Sequence, residues 1–449
     1  MAAQILAVII FIVMFGLIIW DHIERHIVSL GCGLLTLVLV FGVCMHSEAA
    51  AAETLSLHSF MVPNFWFQTE AAAESSSGIN WATILFIAGM MLMVEGMERA
   101  GFFRWLCLTI AKAVHYKTIP IFISFMLMSA FLAMFIDSIT VILFLAAVTV
   151  ELAHLLHFDP IPMIISEIFC SNLGGSATMC GDPPNIIIGT SLGYSFKDFI
   201  LNTGVATVFV IIVGLICMYF IYGRKLFVTD ESIAKVMQLD ENKAIKDRKL
   251  MHESVIVIIL VALCFIFHDQ LGVQSCTVAI AAACIMLLIG GQEPEEIIAD
   301  VEWPTILFFI GLFIVVGGMK KVGVITMLAN GLISITHGNM VVTMMVILWV
   351  SAIVSSFLDN IPFVATLIPM ILTMQSEGMD VAPIWWALSL GACLGGNGTL
   401  IGASANVVLS GISKNNGHPI TFGQYFKIGF PMMILSIIVC SVFLLIRFA

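Results

Sequence analysis

Long apolar runs recur along the whole chain, and they constrain its fold more than any other feature. A helix needs roughly 20 apolar residues to cross a bilayer, and one long polar segment, residues 223–250, interrupts these runs. Hydrophobic residues make up 60% of the 449 residues and charged residues 10%, whereas soluble domains contain roughly 45–50% and 25%. The sequence therefore predicts an all-α polytopic membrane protein surrounded by the lipid bilayer.

Charge and cysteine usage exclude several other classes of protein. The net charge of -11 comes with no basic patch of the kind that binds nucleic acid, so we expect no nucleic-acid partner. The 11 cysteines lie mostly within apolar runs and lack the spacing of a zinc site or a disulfide framework. We therefore expect neither a bound cofactor nor a stapled extracellular fold.

The basic residues predict the orientation of the chain. Seven of the 18 Lys and Arg residues lie within residues 223–250, and the positive-inside rule places this linker in the cytoplasm. Residues 46–80 contain four glutamates and no Lys or Arg, which places them and the N-terminus on the extracytoplasmic side. Lys320 and Lys321 are the exception to the rule. We therefore predict a multi-pass protein of the cell membrane, that is, the inner or cytoplasmic membrane.

The second half of the sequence repeats the first. A shift of 222 residues aligns Trp81 with Trp303, with ten of 21 positions identical, and brings Asp137 onto Asp359. A shift of 221 residues brings residues 173–185 onto 394–406. The predicted topology makes the two copies enter the membrane from opposite sides, which is an inverted repeat. Secondary transporters use such repeats to build two access states, whereas channels and membrane enzymes do not require them, so we predict a transporter and no enzyme.

Each repeat contains an apolar stretch that is interrupted by residues unfavourable in a helix. Paired glycines and prolines in mid-membrane predict that the helix breaks there, which frees backbone groups to bind ions. The glycines predicted at the two breaks are Gly174, Gly175, Gly181, Gly395, Gly396 and Gly402. The side chains predicted to add neutral ligands beside them are Thr178, Asn185, Asn397, Thr399 and Asn406.

Residues 119–154 and 340–373 are each too long for one span and carry an aspartate near the middle. A re-entrant hairpin explains both, with Asp137 and Asp359 at the tips. Ser138, Thr140 and Asn360 would lie beside them as further ligands. A carboxylate within the bilayer is costly and usually functional. The alternative is that each aspartate caps the second helix of its hairpin, and both roles can coexist.

Two further acids have no acidic counterpart in repeat 2. Glu167 precedes the first break and is a candidate for the proton-coupling group, although a paired interfacial acid is an equal alternative. Asp182 aligns with Ala403 and is expected to neutralise a helix N-terminus.

Three sequence blocks, 172–185, 357–362 and 392–406, resemble the ion transporter superfamily. The resemblance is to the ArsB/NhaD branch, which includes arsenite efflux pumps, sodium/proton antiporters, plant silicic acid exporters and the melanosomal P protein; the last two blocks are most similar to the P protein type. It covers roughly Trp81 to the C-terminus. It implies a scaffold domain and a mobile transport domain that moves as an elevator, with the possibility of a homodimer.

With this resemblance the chain divides into five segments. They are N-terminal spans and an extracytoplasmic segment (1–80), repeat 1 (81–222), the cytoplasmic linker (223–250), scaffold spans (251–302) and repeat 2 (303–449).

The hairpin tips distinguish this chain from other members of the superfamily. In what the resemblance implies, sodium/dicarboxylate symporters of the wider superfamily carry Ser-Asn-Thr at both tips, whereas this chain has an aspartate at each. Two carboxylates disfavour a dicarboxylate substrate unless cations or protons neutralise the site. We expect a cation/proton antiporter for a small inorganic ion, with Na+ at Asp137 and Asp359 and with Na+ or H+ as coupling ions. The alternatives are a proton-coupled efflux permease for arsenite, silicic acid or another small (oxy)anion, and an anion channel.

Overall fold

The computed structural model describes residues 1–20, 22–67, 78–136, 138–223, 241–289, 294–358, 360–415 and 417–449. Nine helices in these ranges are long and apolar enough to cross a membrane. They are Ala2–Trp20, Arg25–Cys44, Trp81–Ala100, Ser138–Leu156, Phe196–Tyr222, Arg248–His268, Trp303–Lys321, Met340–Phe357 and Phe422–Phe448. The predicted all-α polytopic architecture is confirmed.

Shorter helices complete the fold. The apolar ones are Thr118–Ala133, Ile161–Gly175, Ser275–Ile289, Val324–Thr336 and Asn360–Ser376. The others of at least seven residues are Glu48–Leu55, Phe102–Ala113, Pro183–Leu192, Pro294–Asp300, Ala382–Gly395 and Ser404–Asn415.

Two helix pairs correspond to the predicted hairpins. Hairpin 1 consists of Thr118–Ala133 and Ser138–Leu156, and hairpin 2 consists of Met340–Phe357 and Asn360–Ser376. In each pair the second helix begins at the residue after the predicted tip aspartate. Asp137 and Asp359 themselves lie outside the described residues.

The two predicted helix breaks are present. Broken helix 1 consists of Ile161–Gly175 and Pro183–Leu192, separated by an irregular segment. Broken helix 2 consists of Ala382–Gly395 and Ser404–Asn415. Glycine favours non-helical backbone and accounts for both interruptions, and Pro183 and Pro184, which lack a helical donor, add to the first.

Two further pairs of helices pack in an equivalent way and are called the packing pairs below. Trp81–Ala100 packs along Ser275–Ile289, and Trp303–Lys321 packs along Arg25–Leu35. In the first pair a Cβ on Gly89 would lie 2.7 Å from the Ala279 carbonyl oxygen; in the second, a Cβ on Gly311 would overlap the backbone of Ser29. Gly89 and Gly311 are repeat partners. The N-terminal spans therefore pack on repeat 2 in the way that the spans after the linker pack on repeat 1, a relation that the sequence division into five segments does not contain.

Ion pairs connect charged residues at both ends of the helices. Lys321, one of the two exceptions to the positive-inside rule, pairs with Glu53 of the acidic segment. At the opposite end of the molecule Arg99 pairs with Glu296 at 2.7 Å and with Glu95 at 3.1 Å. The exception thus has an acidic partner on its own side.

We expect Gly311→Ala to destabilise the protein, because the added methyl group must displace the backbone of Ser29. The cost of such overpacking is roughly 1–3 kcal/mol, visible as a lower midpoint of thermal unfolding in detergent. Gly331→Ala is the matched control, since a Cβ there meets nothing within 4 Å and alanine favours a helix by about 0.5–1 kcal/mol. Equal midpoints for the two variants would contradict the packing role of Gly311.

Candidate functional site

A cavity of about 400 Å³ lies between the helices of the two packing pairs and the beginnings of the hairpin and broken-helix segments. Ser138, Thr140, Asp182 and Asn360 line its inner wall, and Arg25 and Glu302 line its mouth. Glu24 and His26 also line the mouth, so its polar residues are concentrated at these two places. Three of the predicted ligands, Ser138, Thr140 and Asn360, are thereby brought together.

Four helices begin at this cavity, and their N-termini contribute a positive electrostatic potential to it. A helix N-terminus carries roughly half a positive charge, and the first residues of these helices are part of the wall or adjoin it. The residues immediately before the four helices are Asp137, Asp182, Asp359 and Ala403. Three helix beginnings therefore follow an acid in the sequence, and the fourth follows an alanine.

Asp182 connects the two repeats at the inner wall. Its side chain is buried, and one carboxylate oxygen accepts a hydrogen bond of 3.0 Å from the Asn360 amide. We expected Asp182 to neutralise the N-terminus of Pro183–Leu192, and it does precede this helix. Its carboxylate makes no capping hydrogen bond to the helix. It is directed to hairpin 2 and the cavity instead.

The predicted threonines and asparagines close the two breaks by matching hydrogen bonds. The Asn185 amide donates to the carbonyls of Gly175 at 3.1 Å and Thr178 at 2.9 Å. The Asn406 amide donates to the corresponding carbonyls of Gly396 at 2.8 Å and Thr399 at 2.9 Å. Each asparagine thus ties the two half-helices of its own break together.

The threonine hydroxyls bind each break to the adjacent hairpin. Thr178 donates to the carbonyl of Met134, and Thr399 donates to the carbonyl of Ser356. Both carbonyls lie at the end of the first helix of a hairpin, next to the tip. These bonds therefore couple the position of each hairpin tip to that of its broken helix.

The side-chain oxygens of the asparagines also have protein donors. The Asn185 oxygen accepts from Ser389 at 2.6 Å. The Asn172 amide donates to the oxygens of both Asn397 at 2.9 Å and Asn406 at 3.1 Å, and so joins the two broken helices. Asn172 directly precedes Leu173, Gly174 and Gly175 at the first break. This position next to the break is the sequence signal that could have identified Asn172 as a residue joining the two repeats.

These residues lie behind the cavity wall. Among the described residues that line the cavity, none is Thr178, Asn185, Asn397, Thr399 or Asn406. Their buried positions and mutual hydrogen bonds show that they hold the two breaks together.

The glycines at the breaks allow backbone segments to approach closely. A Cβ on Gly174 would overlap the carbonyl of Ala130, and one on its partner Gly395 would lie 2.6 Å from the carbonyl of Ala352. Gly181 and Gly402 meet hairpin carbonyls, while Gly175 and Gly396 face the returning chain of their own break. A side chain at Gly174, Gly181, Gly395 or Gly402 would push the hairpin away from the break.

Glu167 lies apart from the cavity, among hairpin 1 and broken helix 1. It is almost fully buried, and one carboxylate oxygen accepts from the Thr149 hydroxyl at 2.6 Å. Within the described part of the chain, its other oxygen has no hydrogen-bond partner. One helical turn further on, the Ser171 hydroxyl donates to the carbonyl of Ser138 at 3.4 Å, which links this region to the hairpin tip.

Charged residues at the ends of the packing-pair helices line the mouth of the cavity. Arg25 donates to the Ser404 hydroxyl at 3.3 Å, so a residue of the N-terminal spans contacts the beginning of the second half of broken helix 2. Glu302 is exposed toward the cavity. The surrounding protein nevertheless withdraws enough water to raise the pKa of its carboxyl, and Thr305 and Arg25 oppose part of that effect.

The other end of the molecule is closed by neutral hydrogen bonds. The Asn80 amide donates to the hydroxyls of Thr190 at 3.2 Å and Ser191 at 3.0 Å, and the hydroxyls of Thr83 and Thr190 lie 2.7 Å apart. A pocket of about 40 Å³, lined by Asn80, Ser191 and Lys320, remains there. The large and the small cavity lie against equivalent faces of the two repeats, because Val94 lines one and its repeat partner Val316 lines the other.

Comparison with a solved structure agrees with this fold. The structure of the Alcanivorax borkumensis YdaH transporter, which has an unusual topology, aligns over 94% of this chain and 98% of its own chain, with a TM-score of 0.61. Its sequence identity of 14% makes this a likeness of fold alone.

Sequence relatives confirm the resemblance to the ion transporter superfamily and to the P protein. The human P protein is 29% identical over 448 residues, which cover 82% of this chain and 54% of the P protein. An uncharacterized transporter of Mycobacterium tuberculosis is 38% identical over 376 residues, 83% of this chain and 87% of the relative. A 46 kDa membrane protein of Mycobacterium leprae is 32% identical over 448 residues, 99% of each chain.

A family model for the CitMHS group, described as citrate transporter, matches residues 15–391. This match covers most of the chain and includes both hairpins and broken helix 1. The chain belongs to the citrate transporter family, and it is a polytopic membrane protein that acts as a secondary transporter.

Proposed function

We propose that this transporter exchanges a cation, with Na+ the first candidate, for protons at the inner wall of the cavity. The observation that carries the proposal is the buried Asp182 carboxylate in the cavity wall, hydrogen-bonded to Asn360. Asp359 directly precedes Asn360, and Asp137 directly precedes Ser138, a second wall residue. A cation and a proton competing for the same carboxylates would be exchanged.

The charge balance of the inner wall supports a positive ligand. Four helix N-termini contribute roughly two positive charges in total, against three negative charges if Asp137, Asp182 and Asp359 are all ionised. The mouth adds Glu24 and Glu302 against Arg25. A cation or protons would reduce the remaining negative charge, whereas an anion alone would increase it.

The unequal cavities support alternating access. One access route is open, with about 400 Å³, and the equivalent route in the other repeat is closed, with about 40 Å³. The open end is the one that the basic residues predict to be cytoplasmic. Hairpins and broken helices are joined by Asn172, Thr178 and Thr399, and we propose that they move together against the scaffold as an elevator. The homodimer implied by the resemblance remains a proposal.

A small anion carried with cations is the second candidate. The family model is described as a citrate transporter, and the fourth helix beginning, which follows Ala403 in the sequence, is contacted by Arg25 through Ser404. A helix N-terminus with an arginine and no acid is suited to a carboxylate or oxyanion. In this case the aspartates would hold the accompanying cations or protons.

Wild-type protein in proteoliposomes should dissipate an imposed pH gradient when Na+ is added, as reported by an entrapped pH dye. Asp359→Asn should abolish this flux while the protein remains folded, because the amide cannot exchange a cation for a proton. Asp380→Asn, an exposed acid of the same repeat, is the control and should retain wild-type flux. No response of the wild type to any alkali cation would refute the antiport proposal.

Labelled citrate uptake into the same vesicles tests the second candidate. If an anion is carried, Arg25→Gln should reduce citrate uptake at least about tenfold, the effect of losing roughly 1.4 kcal/mol of binding. Sodium-driven proton flux without citrate uptake would reject the anion. Citrate uptake that requires Na+ or a pH gradient would establish the anion as the cargo.

Glu167 is proposed as a proton-coupling group, because it is a buried acid in broken helix 1 with one carboxylate oxygen bonded to Thr149 of hairpin 1. Glu167→Gln preserves the size and an acceptor for Thr149 but cannot release a proton. We expect sodium counterflow to continue in this variant while its dependence on the pH gradient is lost. If sodium counterflow in Glu167→Gln depended on the pH gradient as in the wild type, Glu167 would have a structural role only.

A further inference from the structure

The two ends of the cavity system are built from equivalent residues with different chemistry. Asn80 and Glu302 are repeat partners, and each directly precedes an equivalent tryptophan that begins a scaffold helix. Asn80 is 6% exposed and binds the moving segment at the closed end. Glu302 is exposed at the open end. The two equivalent positions therefore show the same part of the fold at a closed end and at an open end of the cavity system.

The closed end shows what the open end becomes after alternation. If the second half of broken helix 2 approaches Glu302 as the second half of broken helix 1 now approaches Asn80, the Glu302 side chain leaves water and faces that helix. Asn80 meets this situation by donating two hydrogen bonds to hydroxyls. An ionised carboxylate can accept but cannot donate.

The partner positions make the difference larger. Thr190 and Ser191 align with Gly411 and Ile412, so repeat 2 has no hydroxyl side chain at either place to donate to a carboxylate. Closing the mouth over an ionised Glu302 would therefore withdraw a charge from water with Thr305 and Arg25 beside it, but without the two hydroxyls that the moving helix of repeat 1 supplies at Asn80. Removing a charged group from water costs more than removing a neutral one unless partners compensate it fully.

We propose that Glu302 must take up a proton before this mouth of the cavity can close. The proposal rests on the alternating access described above and deepens it by assigning a proton-linked gate outside the aspartate site. A protonated Glu302 is neutral and has a donor, as Asn80 has. The gate therefore favours the open mouth when Glu302 is ionised and the closed mouth when it is protonated.

The charges around Glu302 permit this titration. Arg25, Glu24 and His26 face the mouth from the N-terminal spans, with His26 and Glu24 3.4 Å apart, and Asp182 faces it from broken helix 1. On the neighbouring helix Trp81–Ala100, Arg99 is paired with Glu95 and Glu296. Withdrawal of water raises the pKa of Glu302 despite Arg25, and the exposure of the side chain in the open state gives protons access to it.

A distance measurement between scaffold and moving segment tests the gate. Spin labels are attached to the cysteines of Glu295→Cys and Lys414→Cys, because both positions are exposed at the open end. The exposed Cys44 and Cys284 of the same chain are changed to alanine so that they take no label. Pulsed electron paramagnetic resonance then gives the ratio of the short, closed distance to the long, open one between about pH 5 and pH 9. One coupled proton changes this ratio by up to about tenfold per pH unit, with the closed state favoured at low pH.

Glu302→Gln should remove most of this pH dependence and keep the closed state populated at high pH, since glutamine is neutral and donates. Glu302→Asp, which can still titrate, and Glu24→Gln, which changes another acid of the same mouth, should keep the pH-dependent shift. Gel filtration and thermal unfolding confirm that each variant is folded.

Three outcomes would overturn the gate. They are a wild-type ratio that does not change with pH, an unchanged pH dependence in Glu302→Gln, and a shift of Glu302→Gln toward the open state, which would mean that Glu302 closes the mouth as an ion pair with Arg25. The proposed function fails separately. If the distances respond as expected but Na+ moves no protons in vesicles, the gate stands and the antiport does not.

Discussion

A broken helix within a bilayer must satisfy its own backbone, because no water is present to do so. Each asparagine amide binds two carbonyls across its break, and each threonine hydroxyl binds the end of the adjacent hairpin. The consequence extends beyond stability. The start of the second hairpin helix, at Ser138 or Asn360, is placed relative to the break, and the cavity wall follows from that placement.

The same geometry explains how carboxylates are tolerated at this depth. An isolated acid in a bilayer is expensive, but each helix N-terminus offers unpaired backbone donors and partial positive charge. Asp182 illustrates the arrangement, with Asn360 of the other repeat bonded to one oxygen. Because the helix field offsets part of the acid charge, a small change in ligand or proton occupancy changes the balance of the site.

Sequence reasoning identified the breaks and hairpins because glycine, proline and aspartate are costly in apolar helices. The residue types at the breaks could be recognised from the sequence, but the hydrogen-bond partners of their side-chain oxygens could not. Asn185 and Asn406 were predicted to bind ions through their oxygens, yet those oxygens accept from Ser389 and Asn172. Their predicted role as ion ligands stays a prediction, as do those of Asp137 and Asp359, which lie outside the described residues.

The relation between the N-terminal spans and those after the linker was also beyond sequence reasoning. Helices that face lipid on one side need only small residues on the other, and Ser29 and Ala279 meet equivalent glycines without sharing a motif. Hydropathy alone shows that such helices exist and gives no information on their partners.

A backbone with two equivalent halves would place its two end states near the same free energy, so differences between the halves decide which state is populated. Three of those differences lie at protonatable positions: Asn80 against Glu302, Asp182 against Ala403, and Glu167 against Leu388. If one end of the passage closes through amide and hydroxyl groups and the other through a carboxyl group, the equilibrium between the two states depends on pH even with an empty site. Proton coupling in this fold then has two separable components. One is the occupancy of the aspartate site, to which both repeats contribute an equivalent aspartate, and the other is the bias of the gate, which arises from the difference between Asn80 and Glu302.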